Sequence, residues 1–199
     1  MARLQERMVY RFDELSDGAK ECARDWYRGD DDGLDYEWWD GVYEDVKACA
    51  ALVGIEIEHI YFSGFSSQGD GACFEGRYDY KPGGAKALRQ HAPQDETLHG
   101  IAADLQAAQR PAFYQLNARV KQRGHYSHEH CTEIEVFDFR DGQYTRHDWH
   151  DAIAEPLRDF MRWIYRQLES EHEWLTGDEN VDETIRINEY EFDEDGEHV

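Results

Sequence analysis

Three stretches of this chain gather side chains able to do chemistry. The first, YFSGFSSQGDGACFEG (Tyr61–Gly76), is dense in glycine and serine. Such a loop folds tightly and aims backbone N–H groups outward, as anion-cradling loops do. Ser66, Ser67, Gln68 and Asp70 are its candidate ligand- or partner-binding side chains. The stretch is not a P-loop, because no Lys follows the glycines, and not a G-x-S-x-G elbow, because Ser67 is followed by Gln68. A plain turn is the competing reading.

The second stretch, GHYSHEHC (Gly124–Cys131), carries His125, His128, His130 and Cys131. Imidazole and thiolate are zinc donors, and on a strand His128 and His130 would share a face. No second cluster at fixed spacing completes a ligand set, and HExxH is absent. The segment therefore reads as a histidine-rich turn, and neither a metal nor a cofactor is assigned.

The third is acidic. Asp30, Asp31, Asp32, Asp35 and Glu37 crowd the connector GDDDGLDYE, and ten more acids lie between Asp178 and Glu197. An EF-hand fails here: placing Gly33 at the sixth loop position puts Arg28 first and Trp39 twelfth, where carboxylates are required. Glu191–Gly196 runs out of chain before a twelfth ligand. Asp148 and Asp151 beside His147 and His150 suit surface carboxylate–imidazole pairing, whereas acid–base catalysis also needs a pocket. No catalytic set follows from spacing. Taken together, the acids form a candidate surface for a basic protein, with Asp30, Asp31, Asp32, Asp35 and Glu37 as the named contacts. Duplex DNA carries about one charge per 1.7 Å of axis, so a folded acidic surface can compete for a basic groove.

The elements that must position these residues follow from periodicity. Met8–Phe12 reads as a strand. Ser16 caps a helix with Ala19, Cys22, Ala23 and Trp26 on one face, stopping near Gly29. A second helix places Trp39, Val42, Tyr43, Val46, Cys49, Ala50 and Val53 in a stripe ending at Gly54. Ile55–Phe62 and Cys73–Tyr80 alternate as strands of a long-tipped hairpin. Helical spacing returns after Pro82-Gly83-Gly84, breaks near Pro93 and ends before Pro111. Strands Ala112–Gln122 and Thr132–Phe139 follow. A long helix spans Trp149–Trp174, regular from about Pro156, with Leu157, Phe160, Ile164 and Leu168 inward. Asp178–Asn188 is a short helix and Glu189–Phe192 a strand. This order predicts one α+β domain over residues 1–199, with a mainly antiparallel sheet of five to six strands and four to five helices.

Composition sets the physical frame. The 199 residues hold 44 Asp and Glu against 21 Lys and Arg, for a net charge of -23. That surface repels phosphate backbones, which argues against direct nucleic-acid binding, and it attracts a basic protein. Solubility alone, or a saline cytoplasm, would also account for it. The 6 Trp, 12 Tyr and 9 Phe supply a core. Neither an apolar leader segment nor a run near the ~20 residues of a membrane span is present. With Cys22, Cys49, Cys73 and Cys131 far apart, the expectation is a cytoplasmic protein with reduced, mostly buried thiols.

Three segments, YRFDELSDGAKECARDWYR (Tyr10–Arg28), Tyr61–Gly76 and DETIRINEYEFDEDG (Asp182–Gly196), resemble a family of short phage and prophage proteins labelled as antitoxin of a toxin–antitoxin stability system. The resemblance implies a mobile-element origin and action on a host or competing protein. Three functions follow as expectations. The first is an acidic anti-defence inhibitor or DNA mimic. The second is an antitoxin-like partner of a toxin. The third is a small-ligand binder or enzyme using the 63–71 tip.

Overall fold

The computed structural model describes residues 7–29, 37–138 and 149–199. In chain order these form β1 (Tyr10–Arg11), α1 (Asp17–Gly29), α2 (Asp40–Val53), β2 (Ile55–Phe62), β3 (Ala72–Asp79), α3 (Gly84–His91), α4 (Glu96–Gln109), β4 (Leu116–Gln122), β5 (Thr132–Asp138), α5 (Trp149–Thr176), α6 (Asp178–Ile187) and β6 (Glu191–Phe192). Single 3-10 turns lie at Phe12–Glu14 and Glu129–Cys131. The class is α+β with antiparallel pairing throughout the described strands. Those strands divide into a four-stranded and a two-stranded sheet rather than joining in one.

The chain packs as two compact units: Asp40–Glu169, and Met1–Trp39 with Ser170–Val199. In the larger unit the strand order is β2-β3-β4-β5. Alternate residues are buried along β4 from Leu116 through Ala118 to Val120, and along β5, where Ile134 and Val136 point inward. One sheet face is therefore covered, and the two-residue period dictates which side chains enter it. The α5 stripe read from the sequence, Leu157, Phe160, Ile164 and Leu168, is wholly buried. Phe160 meets Phe74 of β3 edge-on at 6.1 Å. Burying such a side chain stabilises by roughly 1.5–3 kcal/mol.

Caps fix the ends of these elements. Asp95 accepts the Leu98 N–H at 2.8 Å, capping α4, and its second oxygen accepts Trp163 Nε1–H at 2.7 Å, which ties α4 to α5. Gly54 ends α2 in the left-handed region (φ 88°). A Cβ there would lie 1.9 Å from the Asp79 carbonyl oxygen, so only glycine lets β2 turn back beside β3.

The smaller unit is built on β1 paired with β6, Tyr10 opposite Phe192. Phe12, Leu15, Ala19, Ala23, Tyr27, Val181, Ile185 and Phe192 form its core. Ser16 caps α1 as expected, its hydroxyl accepting the Ala19 N–H at 3.3 Å. Trp26 lies edge-on to Tyr190 and Phe192 and stacks on His198 at 4.0 Å.

Several sequence expectations are corrected. The stripe of α1 is Ala19, Ala23 and Tyr27; Cys22 is exposed, one position off the i, i+4, i+8 line. The first strand is only Tyr10–Arg11, because Phe12–Glu14 coils to seat Phe12 in the core. The fourth strand starts at Leu116, not Ala112. The buried Gln109 side chain accepts the Leu116 N–H at 3.1 Å and donates to its carbonyl at 2.7 Å. The chain between them turns through positive φ at Phe113 and Tyr114. α5 is already helical at Trp149 and carries Pro156 inside it. The last strand is Glu191–Phe192, since Glu189 takes a positive φ.

Candidate functional site

The meander places two separately noted segments together. Successive antiparallel strands alternate in direction, so β3 and β5, flanking β4, begin at the same end of the sheet. The hairpin tip precedes β3, and the histidine-rich segment precedes β5. They touch there. A Cβ at Gly71 would lie 3.0 Å from both His128 Cδ2 and the Ser127 carbonyl oxygen, so a larger residue there would need these neighbours to give way.

The tip is closed by its own acid. One oxygen of Asp70 accepts the N–H groups of Ser66 and Ser67 at 2.9 and 2.6 Å. The Ser63 N–H donates to the Gly71 carbonyl at 3.0 Å. Phe65 packs between Phe62 and Tyr165, whose hydroxyl donates to the Gly64 carbonyl at 3.2 Å. Ser66, Ser67 and Gln68 are exposed. Asp70 thus shapes the loop, using its carboxylate on the two amides that a bound anion would otherwise take.

The histidine segment is a turn, as read from the sequence, of the 3-10 kind at Glu129–Cys131. His128 and His130 nonetheless come face to face, with ring centroids 5.2 Å apart and a tilt of 31°. His128 caps the turn, its Nδ1 accepting the His130 backbone N–H at 3.2 Å. The Cys131 N–H and the Thr132 hydroxyl both donate to the His128 carbonyl, at 2.9 and 3.3 Å. Between the imidazoles sits Glu129, buried and missed by sequence reasoning, which looked only at the donors typical of zinc. Its Oε2 lies 3.0 Å from His128 Nδ1, and its Oε1 lies 3.9 Å from His130 Nε2. Arg162 of α5 donates to Oε1 at 3.2 Å and pairs with Asp159 at 2.7 Å. One ligand atom from each of His128, Glu129 and His130 falls within 4.8 Å of the others.

Burial pushes the Cys73 thiol up to about 11, and Cys131 is only half-buried. Cys49 and Cys73 are buried as expected of most thiols, whereas Cys22 is not. His150 pairs with Asp151 at 3.1 Å and reaches the Ile134 carbonyl at 2.8 Å. His147 and Asp148 lie outside the described residues.

Residues 38–178 match the model of a domain of unknown function, DUF8835. The chain belongs to this family. No curated protein and no solved structure matches it. The DUF8835 segment contains the hairpin tip, the 125–131 turn and Arg162. Residues 1–37 and 179–199 lie outside it, and these build most of the smaller unit.

The acids segregate along the same division. Met1–Trp39 and Ser170–Val199 hold 23 Asp and Glu against 7 Lys and Arg, and Asp40–Glu169 holds 21 against 14. In the smaller unit arginines pair internally: Arg24 with Asp182, Arg28 with Asp178, Arg186 with Asp13 and Arg7 with Asp193. Glu14, Asp17, Glu173, Glu179, Glu183 and Glu194 remain exposed. Of the acids named as partner contacts, Glu37 is exposed. Asp30, Asp31, Asp32 and Asp35 lie outside the described residues. No described helix is long and apolar enough to cross a membrane.

Proposed function

We propose that this protein acts by binding another protein through its smaller unit, whose carboxylates engage a basic surface. The observation that carries the reading is the charge imbalance of that unit, whose described residues set 18 acids against 6 bases around a core of its own. Carboxylates on a packed scaffold keep their spacing, which a charged tail does not. They therefore complement a fixed array of basic side chains at lower entropic cost. The concrete form is a phage- or prophage-borne anti-defence inhibitor that mimics DNA, in keeping with the resemblance carried by Tyr10–Arg28, Tyr61–Gly76 and Asp182–Gly196.

The test joins capture to charge reversal. The full chain is used to capture proteins from host lysate, and the affinity of each captured protein is measured from about 0.1 to about 1 M NaCl, over which the screening length falls from roughly 10 to 3 Å. Binding should weaken steeply with salt. The variant E179K/E183K, which changes two exposed side chains of α6, should lose the partner while keeping its melting temperature. A partner retained at high salt, or indifferent to the lysines, rules the reading out.

The resemblance also supports an antitoxin role, in which the same unit neutralises a toxin. Co-expression with each neighbouring gene product separates the two, since only an antitoxin rescues growth.

A further inference from the structure

We propose that His128, Glu129 and His130 form a binding site for a divalent transition-metal ion of the zinc class. The donor set is the first argument. Two imidazoles and one carboxylate suit zinc and its neighbours, whereas magnesium and calcium prefer all-oxygen shells.

Geometry is the second. Ligands on one ion with bonds of about 2.0–2.1 Å sit roughly 3–3.5 Å apart and never beyond about 4.2 Å. Glu129 Oε2 lies 3.0 Å from His128 Nδ1, and its Oε1 lies 3.9 Å from His130 Nε2, still under the upper limit. The whole group lies within 4.8 Å. Only a small inward swing of a histidine separates it from a bound shell, and the His130 side chain, 69% exposed, is free to make it.

The surroundings fit a ligand shell. Arg162 hydrogen-bonds Glu129 through Oε1, leaving Oε2 toward His128, and outer partners of this kind orient metal-binding carboxylates. Asp159 and Glu155 offset the charge of Arg162. The backbone at Gly71 lies beside the His128 ring on the hairpin side. The exposed side of His130 leaves coordination positions open to water or a further ligand. The proposal is independent of the acidic unit's partner.

Full-length protein stripped with EDTA and desalted is titrated with zinc chloride by calorimetry, and with cobalt(II) by visible absorption. The expected result is one zinc per chain and a cobalt d–d spectrum of low-symmetry coordination. H130A and H128A should each weaken zinc binding by about 10-fold or more and abolish that spectrum. Because His130 is exposed, H130A reads the site without a folding defect, and a thermal melt confirms this. The proposal fails if the wild type takes up no zinc. It also fails if H130A binds zinc with the same affinity and cobalt with the same spectrum, which would place the ion on scattered surface acids.

Discussion

Asp182 accepts two hydrogen bonds from Arg24, at 2.6 Å from Nε and 2.9 Å from Nη2, and both side chains are about 15% exposed. These bonds, with the guanidinium charge beside them, hold the Asp182 carboxyl below the usual range. The group is a stronger acid folded than unfolded. Its contribution is therefore complete above the unfolded value near 3.9 and is lost as pH falls through the lower folded value. Asp182→Asn should destabilise the protein by about 2 kcal/mol at neutral pH, since it removes the bidentate partner of a largely buried Arg24 and leaves that guanidinium only Glu21. It should also flatten the acid limb of the stability curve below about pH 4. Urea melts at pH 7 and pH 3 check both effects, and an unchanged acid slope would sink the assignment. This pair was not legible from spacing, because 158 residues separate its members. Neither was Arg162 at the histidine turn, which depends on the rotational phase of α5.

The elements themselves were largely legible. Helical and two-residue periods identify α1 to α6 and the β2–β3 hairpin, because burial on one side imposes those periods whatever the partner. Gly54 was read as the end of α2 and is so, with a positive φ and no room for a side chain. Gly54→Ala should cost about 2 kcal/mol or more, from backbone strain and the clash with the Asp79 carbonyl. A denaturation midpoint within about 0.5 kcal/mol of wild type would show that the turn gives way instead. Where periodicity misled, a tertiary contact had taken over the backbone. Gln109 binds Leu116 and removes four residues from the expected strand. The histidine segment, by contrast, is the turn before Thr132 that was read, held by bonds back to the His128 carbonyl.

At the scale of the molecule, self-repulsion is the ruling charge effect. A net charge of -23 opposes compaction, most strongly in the smaller unit. Salt should therefore stabilise the fold: the melting temperature at pH 7 should rise by several degrees between about 10 and 500 mM NaCl, as the screening length drops to a few Å. Scanning calorimetry that shows no rise, or a fall, would mean that the internal ion pairs outweigh the repulsion. Separate transitions, with the lower one moving more, would assign the sensitivity to the smaller unit.

The amino-acid sequence by itself determined the α+β class, the order of the elements, the acidity and the two segments richest in chemical side chains. These are local or additive properties, set by period, propensity and a sum of charges. Tertiary structure decided which of them meet. Strand order brought the hairpin tip against His128, and helix phase set Arg162 on Glu129. Pairing of β1 with β6 gathered acids from the two halves of a divided segment into one unit. Contacts of this kind depend on burying apolar faces between residues far apart in the chain, and no local pattern encodes that choice.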